Sequence, residues 1–145
     1  MTRSGLHARY SLSRRDIKRL FPLLIQKRFE RAIVLVTASW VAPEDKVSLT
    51  WKLIAGMVRM FASDAYADIN GMGNYVTSLL LDDIEWTMFR VPFLSDAGPA
   101  EVRSAYLGSP NVGLKLSRGS VVPWVLHQID EARWIGKAPC LSNCE

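Results

Sequence analysis

Two apolar segments, residues 32–39 (AIVLVTAS) and residues 85–94 (EWTMFRVPFL), stand with helix-patterned sequence and turns between them. Parallel strands cannot be joined by a tight hairpin, so a strand, a helical crossover and a second strand form the repeating unit of an open parallel sheet. The first segment is rich in β-branched residues and lacks polar alternation, the pattern of a strand covered by helices on both faces. Nucleotide-binding sheets of this kind place an early glycine-rich turn under the pyrophosphate. Here no G-x-G-x-x-G occurs anywhere, and before Leu20 there is one glycine, Gly5. The architecture is therefore legible, while the phosphate cradle that usually accompanies it is missing.

A chain of 145 residues fits one domain, and it should bury roughly two thirds of the surface its unfolded form exposes. Hydrophobic residues at 49% against 22% charged residues exclude a disordered chain. The most membrane-like run, residues 54–61 (IAGMVRMF), is interrupted by Arg59 and falls well short of the ~20 residues a span requires. No transmembrane helix and no membrane partner are expected.

The formal charge of +4 is unevenly placed. Residues 1–31 hold nine of the 18 Lys and Arg against only Asp16 and Glu30, so the rest of the chain is net acidic. A basic end can bind nucleic acid by releasing counterions, but Tyr10 is its one early aromatic and no binding module is recognisable, so no nucleic acid is expected. Residues 1–19 are expected to be a basic, poorly ordered lead-in, and residues 20–145 the folded part. A cytoplasmic location is the default expectation; the Arg- and Ser-rich start leaves a mitochondrial transit segment as the alternative. Cys140 and Cys144 have the wrong spacing for a CxxC pair, and His7 and His127 are isolated, so no metal site is expected. The two thiols are expected to be inert, on a mobile tail.

Helices are expected over residues 20–29, 47–62, 65–81 and 117–131, and short strands over 101–107 and 137–141. In the second helix Leu49, Leu53, Ile54, Met57, Met60 and Phe61 recur at helical spacing and read as core. In the fourth, Val121, Val122, Val125, Leu126 and Ile129 read as the inner face. Gly71 and Gly73 inside the third helix point to a close approach of another group or to a bend. Arg90 is expected to pair with Asp82 or Asp83.

The ordered set FPLLIQKRFERAIVLVTAS, DAYADINGMGNYVTSLLLDDIEWTMFRVPFLSDAGP and LKLSRGSVVPWVLHQIDEARWIGKAPCL resembles the C-terminal half of the atypical short-chain dehydrogenase/reductases. Within these it resembles the NmrA-like NAD(P)-binding proteins of fungal type, over residues 20–142. The resemblance implies an α/β fold: a partial Rossmann-like, doubly wound parallel sheet with flanking helices, lacking the N-terminal dinucleotide-binding βαβ unit. It implies NAD or NADP as cofactor and a small-molecule metabolite carbonyl as substrate. It also implies a truncated chain whose binding of cofactor by itself is in doubt.

The resemblance further points to residues. Classical members pass a proton through a Tyr-x3-Lys pair, the lysine lowering the phenol pKa. Here the helix reads Tyr66-Ala-Asp-Ile-Asn70, with Asn in the lysine position. Ser39 matches the substrate-orienting hydroxyl at the strand end. Pro92, Phe93 and Leu94 match the stretch that flanks the nicotinamide ring. The alternative function is a non-catalytic NmrA-like protein that senses a nucleotide or binds a partner. A sheet starting in its middle leaves the edge of residues 32–39 open, and a homo-oligomer or another partner is expected there.

Overall fold

A computed structural model describes residues 12–46, 48–110 and 112–144. Helix α1 (Arg14–Gln26) starts ahead of the expected residue 20, because Ser13 and Asp16 close a capping box. Asp16 Oδ2 accepts from the Ser13 amide at 2.9 Å, and Ser13 Oγ accepts from the Asp16 amide at 3.3 Å. The Ser13 amide and the Ser13 hydroxyl both donate to the Asp16 carboxylate, and these two bonds lower its pKa. Pro22 consequently lies inside the helix and not in its first turn.

Strand β1 (Arg31–Thr37) follows, then α2 (Leu49–Phe61), α3 (Ser63–Thr77) and β2 (Glu85–Val91). β1 and β2 pair in parallel along their whole length, from Arg31 opposite Glu85 to Thr37 opposite Val91. The strand, crossover and strand expected from the sequence are thus present. Beyond them come β3 (Phe93–Ser95), β4 (Val102–Ala105), β5 (Lys115–Ser117), α4 (Arg118–Glu131) and β6 (Cys140–Asn143). The main sheet has the order β1-β2-β6-β4, with β6 parallel to β2 and β4 antiparallel to β6. β3 and β5 form a separate parallel ribbon that the sequence pattern did not suggest.

Strand alternation divides the core into two layers. Val34, Val36 and Met88 pack with Ile17 and Phe21 of α1 and Met72 and Val76 of α3. On the opposite face Phe89 and Val91 meet Leu116, Trp124, Trp134 and Leu141. Helices on both faces of a parallel pair are the doubly wound arrangement.

Three sequence expectations are corrected by the packing. On α2, Leu49, Leu53, Met57, Met60 and Phe61 are exposed, while Trp51 is its buried residue. The helix is apolar over most of its circumference, so periodicity did not single out the side that meets the protein. On α4, Trp124 and Gln128 take the inner positions and Val122, Leu126 and Ile129 lie exposed on one flank. Cys140 is not on a tail: it sits fully buried in β6, and burial pushes its thiol up to about 12.

α3 ends at Thr77, ahead of the expected residue 81, and no side chain caps its start. Its Gly73 is a point of close approach. A Cβ built there would lie 2.5 Å from the Trp40 indole, which is buried and donates to Asn74 Oδ1 at 3.0 Å.

Candidate active site

Ligands of open parallel sheets bind beyond the carboxyl ends of the strands. In this chain those ends converge. The Ala38 amide donates to the Val91 carbonyl at 2.9 Å, which locks the exit of β1 to that of β2. Over this junction lies a pocket of about 220 Å³. Its floor is Thr37, Ala38 and Ser39; one wall is Val91, Pro92 and Phe93, and the other is the underside of α2 with Trp51, Ile54 and Val58.

The pocket is apolar apart from two hydroxyls. Thr37 Oγ1 and Ser39 Oγ are 2.6 Å apart, with Ser39 almost fully buried. One hydroxyl donates to the other, so a single O–H and the remaining lone pairs are left for a guest. Such a pair can hydrogen-bond a carbonyl or an alcohol. It offers no charge to neutralise a carboxylate or a phosphate.

The loop between β1 and α2 is fixed by a buried ion pair. Arg90 on β2 is fully buried and binds Asp45 through Nη1–Oδ2 at 2.5 Å and Nη2–Oδ1 at 2.8 Å. Its other bonds reach the carbonyls of Ala138 and Trp40 at 2.8 and 3.2 Å. Asp45 in turn accepts from the amides of Ala42 and Leu107. Arg90 therefore pairs with Asp45, not with Asp82 or Asp83 as expected. Those two acids lie at the opposite, amino end of β2, whereas the Arg90 side chain reaches toward its carboxyl end.

The candidate residues separate into two groups. Ser39, Pro92 and Phe93 line the pocket at the strand ends. Tyr66 instead lines a neighbouring cleft of about 240 Å³ with Lys52 and Arg59; this cleft shares Ala38, Trp51 and Ala55 with the first pocket. Asn70 is turned back on its own helix, its Nδ2 donating to the Tyr66 carbonyl at 2.9 Å. Leu94 lies on β3, paired with Leu116 of β5, and is not among the pocket-lining residues.

Sequence reasoning missed Asp45, Trp51 and Arg59. The acidic loop APEDK before α2 was a usable signal for the partner of Arg90. Arg59 inside an otherwise apolar helix was noticed only as an interruption. Trp51 carried no separate signal among so many apolar neighbours.

The fit to a dinucleotide is partial. The strand-end pocket suits a ring or a short apolar group, but its lining contains no glycine turn and no cation to hold a pyrophosphate. No cluster of three or more metal-binding side chains occurs among the described residues. No helix among them is long and apolar enough to cross a membrane.

No protein-family model and no curated protein sequence matches this chain. Solved structures do match. A short-chain dehydrogenase/reductase (wide type) from Veillonella parvula, in complex with NADP, superposes with a TM-score of 0.70 at 16% identity, covering 91% of this chain and 59% of that one. The oxidoreductase ylbE from Lactococcus lactis gives 0.66 at 15% identity, covering 90% and 53%. chuY from E. coli gives 0.71 at 7% identity, covering 92% and 62%. These likenesses show the fold: a Rossmann-like α/β sheet of the kind found in short-chain dehydrogenase/reductases and other NAD(P)-binding oxidoreductases. The chain spans little more than half the length of the structures it matches.

Proposed function

We propose that this chain is the substrate-side half of an NAD(P)-dependent oxidoreductase of the atypical short-chain type, NmrA-like, acting on the carbonyl or alcohol of a small apolar metabolite. The observation that carries this reading is the apolar pocket at the joined ends of β1 and β2, whose only polar groups are the coupled hydroxyls of Thr37 and Ser39. A bound oxidoreductase cofactor would supply the hydride. The chain's own residues hold the guest: Ser39 and Thr37 bond its oxygen, Pro92 and Phe93 close one side, and Trp51 with Val58 excludes water. The cofactor phosphates have no cradle in this sequence, so independent turnover is not expected.

The test is direct. In a 15N-labelled sample, acetophenone should shift the amides of Thr37, Ala38, Ser39 and Phe93, while benzoate at equal concentration leaves them unmoved. Equal shifts with benzoate, or shifts confined to other regions, would overturn the assignment. Titration with NADPH should give no saturable energy transfer from the tryptophans; micromolar binding would show that a phosphate site exists.

A non-catalytic, partner-binding or nucleotide-sensing NmrA-like role is the second reading. It is favoured by Asn70, which is neutral and spends its amide on the Tyr66 carbonyl. Loss of acetophenone binding without any effect on partner capture, in Ser39→Leu, would support this role.

A further inference from the structure

Among the described residues β1 is an edge strand, hydrogen-bonded to β2 alone. Its polarity can be worked out residue by residue. The Ala38 amide and the Glu30 carbonyl both bond toward β2, and in a strand successive residues face opposite sides. The backbone groups of Ile33 and Leu35 therefore point away from β2, out of the sheet. The segment Ala32–Thr37 holds no proline and no charge, the usual guards of an exposed edge.

Both faces beside this edge are also unfinished. On the α1 side an open groove of about 660 Å³ runs along the strand, with Leu20, Leu24 and Phe29 in its lining. On the other side α4 presents Val122, Leu126 and Ile129. The orientation of that flank follows from its contacts. Ser120, on the far side of α4, bonds Ala100 and Asn143 near β4 and β6, whereas the Ile129 carbonyl accepts from Arg31 of β1 at 2.9 Å. The exposed stripe thus borders the open edge.

We infer that the β1 edge is the interface for a second copy of this chain, paired antiparallel across a two-fold axis normal to the sheet. This axis returns each face of the sheet to itself. The α4 stripe then meets its own copy, and the α1 groove meets the same groove, so apolar surface meets apolar surface on both sides. Directly opposed residues in an antiparallel pair point to the same face, so the axis must pass through a residue and not between two. With the axis at Val34, Ile33 lies opposite Leu35 and Arg31 opposite Thr37, with no like charges opposed.

Charge favours no other class of partner. The charged residues lining the groove are Arg31, paired with Glu85 at 2.7 Å, and Asp68, whose Oδ1 accepts from the Arg14 amide at 2.9 Å. Both are engaged, so neither selects an acidic or basic ligand. In area, six half-exposed apolar side chains leave on the order of 500 Å² of carbon open. With the strand backbone added, this approaches the ~800 Å² per partner of a stable interface.

The experiment is light scattering of the full chain across a dilution series. The expected mass is twice that of the 16.3 kDa monomer, falling to the monomer in Leu35→Pro. That substitution removes an outward-facing N–H and leaves the β1–β2 ladder intact. Should Leu35→Pro lose its folded circular dichroism, Leu126→Asp decides: it lies on the exposed flank of α4 and should also halve the mass. A wild-type chain monomeric at every concentration would overturn the inference. So would a dimer that survives in a folded Leu35→Pro or in Leu126→Asp. Binding of acetophenone is read at Ala38, Ser39 and Phe93, outside the paired edge residues 31–37, so the two proposals fail separately.

Discussion

Arg90 and Asp45 face each other from two different layers of chain: one lies in the middle of the sheet, the other in the loop that leads into α2, and both side chains are fully buried. Replacing Asp45 with Ala would strand a guanidinium in the core. The expected loss is about 3–5 kcal/mol, because the uncompensated charge costs more than the lost contact. A urea melt checks it. The pair also satisfies the amides of Ala42 and Leu107 and the carbonyls of Trp40 and Ala138. The apolar double replacement Arg90→Met with Asp45→Leu should therefore remain destabilised, unlike a simple buried ion pair. Full recovery in the double variant would contradict the network.

Two glycines two residues apart on α3 should respond in opposite directions to alanine. At Gly73 the new methyl meets the Trp40 ring at 2.5 Å, and that ring is pinned to Asn74. Overpacking there costs about 1–3 kcal/mol, more than the gain of up to ~1 kcal/mol in helix propensity. At Gly71 the obstacle is the Arg14 side chain, which can swing away. Gly71→Ala should be neutral or stabilising, and Gly73→Ala should melt earlier in the same thermal scan.

Thiol chemistry separates the two cysteines. Cys140 should resist iodoacetamide in the folded protein, while half-exposed Cys144 is alkylated; mass spectrometry after brief labelling reads both. The pH dependence follows from the direction of the shift. Burial raises the Cys140 thiol from 9.0 to about 12, with the Arg90 charge opposing and Asp45 adding to it. Above pH 9 the unfolded chain gives up a proton that the folded chain keeps, so stability falls as pH rises from about 9 toward 12. Below pH 9 this group leaves stability unchanged.

Ser39→Ala should weaken acetophenone binding while shifting the melting midpoint little. The hydroxyl it removes bonds only Thr37 Oγ1 among the described side chains, and a net hydrogen bond of that kind contributes about 1 kcal/mol. A large loss of stability with unchanged binding would make Ser39 a strand terminator and nothing more.

How much of this was legible in the sequence depends on which force set each feature. β1 and β2 were readable because unbroken apolar, β-branched runs have few other uses in a folded chain, and their parallel orientation follows from the crossover. Ser39, Pro92 and Phe93 came together because strand ends are fixed by the strands themselves. The exposed sides of α2 and α4 were not readable. Both helices are apolar over a wide arc, so periodicity left several faces equivalent, and the choice was made by tertiary neighbours such as Leu116 under Trp124. Arg90 found Asp45 because the direction of its side chain along β2, and not proximity in sequence, decides which acid it reaches. Tyr66 and Asn70 kept the expected spacing on their helix, yet the ridge of α2 carrying Trp51 and Ala55 stands between Tyr66 and the strand-end pocket.

The far side of the sheet tells how any assembly must end. β4 is only four residues long, runs against its neighbour and carries Arg103, so it is a poor template for a further strand. Among the described residues, growth of the main sheet is open in one direction alone. A two-fold contact on that side would consume the one open edge of the main sheet, so strand addition through β1 would stop at a closed pair instead of running on into a fibre.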